Sequence, residues 1–89
     1  MKIFKYEVSI SNSFSIEMPQ HSTILSFQVQ NEKPYIWALV DEEEPIVFRY
    51  FTIFGTGYDF DLNPAVLKYI GTVIMDQDRF VWHLFEDLT

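Results

Sequence analysis

Two glycine-threonine steps hold most of the chain's scope for chemistry. Gly55-Thr56-Gly57 can turn backbone N–H groups toward an anion such as a phosphate, with the Thr56 hydroxyl assisting and Gly71-Thr72 opposite. A phosphate loop draws most of its field from a helix N-terminus directly after the glycines, whereas here Asp59 and Asp61 follow and repel an anion. The same glycines equally serve a turn between packed strands, because glycine alone takes positive φ without steric cost. Asp59/Asp61 and Asp76/Asp78 share the spacing that puts two carboxylates on one face of a strand, the beginning of a divalent-cation site. No third or fourth ligand follows at the spacing of a calcium loop, and aspartates in turns commonly bond their own backbone, so no metal is expected.

His21 and His83 are the side chains able to act as bases near neutral pH. His21 follows Pro19-Gln20 in a loop, and His83 lies among aromatics, the setting of a structural imidazole. Serine is nowhere placed as in a nucleophile elbow and cysteine is absent, so the expectation is a protein that is not an enzyme and carries no cofactor.

Charge offers the alternative to catalysis. Thirteen acidic against six basic residues give a net charge of −7, which argues against direct nucleic acid or anionic membrane binding, since both need clustered Lys and Arg. The run Asp41, Glu42, Glu43, Glu44, the pair Asp59 and Asp61 beside Tyr58, and the late Glu86-Asp87 form a candidate negative surface for docking on a basic groove. The bland reading is that these charges are only solvated. Sixteen aromatic rings, nine Phe, five Tyr and two Trp, exceed what a small core hides, which marks Tyr35, Tyr50, Tyr58 and Tyr69 as candidate exposed interface anchors. A homodimer through an edge strand would cover them as well. No apolar run approaches the roughly 20 residues of a membrane span, and the polar opening lacks the apolar stretch of a signal peptide, so the cytoplasm is the default.

Eighty-nine residues without cysteine make one domain, 1–89, held by a dense core rather than by disulfides. Residues 46–54, apolar or β-branched but for Arg49, suit a strand in the middle of a sheet with both faces largely covered, and 35–40 should lie beside it. Alternation marks 3–8 and 13–18 as an antiparallel pair, with Phe4, Tyr6, Val8 and Phe14, Ile16, Met18 inward. Residues 24–30 place Leu25, Phe27 and Val29 inward and reverse through Asn31-Glu32-Lys33-Pro34 into 35–40 as a hairpin. Asn63 caps one helical turn near 63–69, and 69–75 returns through Asp76-Gln77-Asp78 into 79–86. The expected fold is mainly β, about seven strands in an antiparallel meander curled into a barrel or small sandwich.

Four blocks, Trp37-Ala38-Leu39-Val40-Asp41, Phe54-Gly55-Thr56-Gly57, Tyr69-Ile70-Gly71-Thr72 and Phe80-Val81-Trp82-His83, opened by Ile3-Phe4-Lys5-Tyr6, occur in order. In them the chain resembles a family of small proteins of unassigned activity encoded by bacteriophages and prophages. The resemblance implies a non-catalytic inhibitor that binds a basic bacterial host protein, a defence complex such as a CRISPR nuclease or a host nuclease. It raises the Gly-Thr-Gly and Ile-Gly-Thr blocks as a shared site, and so an alternative: an oligomeric sponge for a nucleotide-like signal, with Arg49, Lys68 or Arg79 reaching in. A phage structural or assembly component, with a large apolar face, is the third expectation.

Overall fold

The computed structural model describes residues 1–89 as seven strands and a single 3₁₀ turn. The strands are β1 (Lys2–Glu7), β2 (Ser13–Pro19), β3 (Thr23–Gln30), β4 (Lys33–Val40), β5 (Ile46–Gly55), β6 (Leu67–Met75) and β7 (Phe80–Asp87). All pairings are antiparallel, in two sheets of order β1-β4-β3 and β2-β5-β7-β6. The sheets are not closed on one another, so the molecule is not a barrel, and the strand order is not a meander.

Period-two alternation sets the inner faces. Val8, Met18, Phe27, Ile36, Phe51, Ile53, Val73 and Leu84 form one buried cluster between the sheets. Burying each large apolar side chain of this set contributes about 1.5–3 kcal/mol against leaving it in water. β5 is interior to its sheet, as its composition predicts, but its two faces differ. Phe51, Ile53 and Gly55 pack inward, whereas Ile46, Phe48 and Tyr50 stay in solvent.

Two neighbour assignments made from the sequence are corrected. β1 does not pair with β2, because the segment joining them crosses from sheet to sheet: Val8 N–H donates to Pro34 in β4, while Asn12 accepts from Ile53 N–H and the Thr52 hydroxyl in β5. Nor does β4 lie beside β5. It is apolar on both faces as the centre of its own sheet, with Ile36, Ala38 and Val40 buried inside and Tyr35, Trp37 and Leu39 half-covered outside. A third correction concerns β3, whose ladder with β4 skips Leu25. That bulge shifts the alternation ahead of it, so Ile24 packs on the core and Leu25 is exposed, while Phe27 beyond it is buried as expected and Val29, near the end of the strand, is exposed.

The β3–β4 hairpin does form, and its turn is shorter than the four residues expected. Gln30 pairs with Lys33, and Asn31 and Glu32 take φ of 53° and 65°, the two left-handed residues that a two-residue turn matching strand twist requires. Asp76, Gln77 and Asp78 turn β6 into β7, also at positive φ. The 3₁₀ turn, Pro64–Val66, is capped by the Asn63 side chain accepting from Ala65 N–H at 3.0 Å. No helix is long and apolar enough to cross a membrane.

Candidate functional site

The glycine loop is built by close packing. A Cβ placed on Gly55 would lie 3.0 Å from Tyr58 Cε1 and 3.3 Å from Trp82 Cζ3, so the tyrosine folds back closely over this position and any side chain there would push its ring aside. Gly57 follows at φ +85°, in open space. Gly57 is thus the glycine whose backbone the turn requires, while Gly55 closes β5 under the Tyr58 ring.

The threonines of the two glycine-containing blocks nevertheless meet, through a residue neither block contains. His83, on the outward side of β7, lies between them: Nε2 is 2.6 Å from Thr56 Oγ1 and Nδ1 is 3.0 Å from Thr72 Oγ1. Tyr69 extends the chain, its hydroxyl 2.5 Å from Thr72 Oγ1. A neutral imidazole donates from one nitrogen and accepts at the other, so the two threonine hydroxyls must play opposite roles. The arrangement ties the loop after β5 to β6 across β7. The FVWH block held the clue, since alternation opposite Trp82 and Leu84 turns His83 outward, but only strand register brings Thr72 beside it.

None of the three cations expected near these loops joins the chain. Arg79 pairs with Asp76 at 3.7 Å in the β6–β7 turn, and Lys68 lines a crevice between β3 and β6. Arg49 points between the sheets, where Nε and Nη2 grip Glu86 at 2.6 and 2.7 Å and Nη1 donates to the Ser22 carbonyl. With only 19% of the Arg49 side chain and 8% of that of Glu86 exposed, this is a largely desolvated, two-pronged ion pair.

The acidic residues fall into separate groups. In the loop 41–45, Asp41 accepts from Glu43 N–H, Glu42 pairs with Lys2 at 2.7 Å, and Glu44 lies 3.8 Å from His21. Asp59, Asp61 and Tyr58 are exposed beyond the other end of β5, whose ten residues span about 30 Å at roughly 3.3 Å each. The single acidic surface expected from the sequence is thus divided, and Glu86 is withdrawn from it. Asp87 remains on the surface, where the Thr89 hydroxyl and then its N–H hold the carboxyl below its ordinary range.

Between these groups lies the outer face of the four-stranded sheet. Ile46, Phe48 and Tyr50 stand along β5 with 61%, 57% and 54% of their surface exposed, and Tyr69 and Ile74 stand on β6. Register sets Glu17 of β2 against Phe48 and Asp87 of β7 against Tyr50. An open hollow of about 480 Å³ beside Tyr50 is lined by Ser13, Ser15, Asp87 and Thr89. No Lys or Arg lies on this face by register. Toward the far end, Phe60 stacks on Phe54 at 4.0 Å and covers it. Of the four tyrosines expected as exposed anchors, Tyr50, Tyr58 and Tyr69 are exposed, while Tyr35 is half-buried with Lys5 Nζ 4.5 Å above its ring.

Fold and surface together define a small two-sheet antiparallel β protein that keeps an acid-bordered aromatic sheet face in solvent. The chain belongs to the family described as Domain of unknown function (DUF7352), whose model matches residues 1–89. Comparisons with curated proteins and with solved structures found no match.

Proposed function

We propose that the protein is a non-catalytic binding protein that occupies a basic surface of a bacterial host protein, as a phage-derived inhibitor of a defence complex or nuclease in the host cytoplasm. The observation that carries this reading is the outer face of β5, where Ile46, Phe48 and Tyr50 are more than half exposed between Glu17 and Asp87. Rings that become desolvated at the centre of an interface supply most of its affinity, and a rim of one charge sign steers the complementary partner. Glu43, Glu42 and Glu44, with Asp41, extend the acidic border where β5 begins, and Asp59 and Asp61 with Tyr58 extend it beyond the other end. The molecule measures 40 × 32 × 16 Å, so its broad side accommodates the roughly 800 Å² that a standard interface buries on each partner.

Capture from bacterial host lysate at low salt, with release at high salt, should isolate the partner. F48A together with Y50A should then weaken the purified complex by about 30-fold or more, one hot-spot residue being worth about 2 kcal/mol. Charge reversal of Glu17 and Glu43 to Lys should slow association at low salt while leaving the thermal transition in place. Binding indifferent to both salt and the ring truncations would refute the reading.

A second reading treats the two threonine blocks as ligand loops of a nucleotide-signal sponge, and what favours it is the meeting of Thr56 and Thr72 at His83. A nucleotide that shifts the amide resonances of Thr56 and Thr72 would support it over the first. A stable homo-oligomer that buries Phe48 would instead favour a phage assembly component.

A further inference from the structure

The two edge strands that approach one another, β3 and β6, each carry a bulge, at Leu25 and at Ile70. A bulge leaves its extra residue outside the ladder and re-aims the strand, a device common beside binding sites. Beside the two bulges lies a crevice of about 230 Å³. Its walls differ in kind. Ile24, Leu25 and Ile70 supply apolar lining, while Arg49, Lys68 and Glu86 bring two positive charges and one negative.

The negative charge is already committed, since both Glu86 oxygens hold Arg49. Three of the five guanidinium N–H groups are engaged, on Glu86 and on the Ser22 carbonyl, which leaves two. Lys68 takes part in none of the molecule's ion pairs. In a chain of net charge −7, the crevice therefore holds one uncompensated positive charge. We propose that this crevice is a binding site for a small carboxylate carrying a short apolar group, its head on Lys68 and the free N–H of Arg49 and its alkyl part against Ile24, Leu25 and Ile70. Two sources present that chemistry, a short-chain fatty acid and the C-terminal residue of a peptide ending in an aliphatic side chain. The site is independent of the aromatic face and of the function proposed for it.

The test is a two-dimensional amide NMR titration of the whole chain with sodium hexanoate, with N-acetyl-leucine and with neutral hexanol. Both acids should give saturable shifts at Leu25, Lys68 and Ile70, and hexanol should not. Tighter binding of hexanoate assigns the fatty acid as source; tighter binding of N-acetyl-leucine assigns the peptide terminus. Lys68 is exposed, so K68Q should keep the folded spectrum and weaken both acids by about tenfold or more, the worth of one charge-assisted contact. Absence of saturation at these residues, equal binding of hexanol, or affinity unchanged in K68Q would overturn the proposal.

Discussion

Replacing Glu86 by Gln strands the Arg49 guanidinium between the sheets, because an amide can accept one of the two hydrogen bonds but carries no countercharge. Breaking a buried ion pair by removing one partner costs about 3–5 kcal/mol. Arg49 keeps 19% of its side-chain surface in contact with water, which places the expected loss at the lower end, about 3 kcal/mol. At about 0.05–0.15 kcal/mol per residue, the whole domain is stable by about 4–13 kcal/mol, so E86Q removes between a quarter and most of it. With an m-value of about 1–2 kcal/mol per molar, the urea midpoint should fall by about 1.5–3 M at constant slope. R49M should cost a similar amount. The double variant R49M/E86L, which replaces both charges by apolar groups of comparable length, should return to within about 1 kcal/mol of the parent. If E86Q and R49M each cost less than 1 kcal/mol with an unchanged slope, the pair is not desolvated in solution and the reasoning fails.

Two further outcomes are expected. F60A removes the stack on Phe54 and should loosen the segment 56–66, speeding its cleavage by a protease while lowering global stability by only about 1–2 kcal/mol; equal cleavage rates would show that the stack does not hold the segment. The Asp87 carboxyl should titrate below its ordinary value of 3.8, and T89A, by removing the hydroxyl donor, should move its midpoint upward in an NMR titration. Because the folded-state value is the lower one, the stabilisation is present above the ordinary value and is lost as pH falls through the depressed one. A midpoint unmoved by T89A would assign the effect elsewhere.

Alternation made the inner faces of β1, β2 and β7 legible, since each strand stays in register along its length. Where a bulge intervenes it misleads: one unpaired residue, Leu25, put Ile24 on the core side in its place while Phe27 beyond it stayed inward, and nothing local in Ile24-Leu25-Ser26 announces it. Neighbour relations were less accessible. Tyr35 to Val40 and Ile46 to Phe54 are both apolar on two faces, and apolarity alone does not say whether they share a sheet. Arg49 stood out as a lone charge in an apolar run, which implies a buried partner, but Glu86 is 37 positions away and reads locally as part of an acidic terminus. His83 was expected among aromatics, yet its threonine partners come from the turn after β5 and from β6, which only the register of β5, β7 and β6 unites.

The division of strands between the sheets also sets an order of assembly during synthesis. β1, β3 and β4 all lie within the first 40 residues, whereas the other sheet needs β7, which ends at Asp87. At about 5–20 residues per second the last 49 residues take about 2–10 s to appear, and until that interval ends Phe27, Ile36 and Ala38 lack the completed second sheet that covers them. β2 is already outside the ribosome but has no partner until β5 emerges, and the strand within its reach is β1. The hairpin that alternation suggests for 3–18 is thus a pairing open to a nascent chain, whereas in the folded molecule Val8 and Asn12 are anchored to opposite sheets.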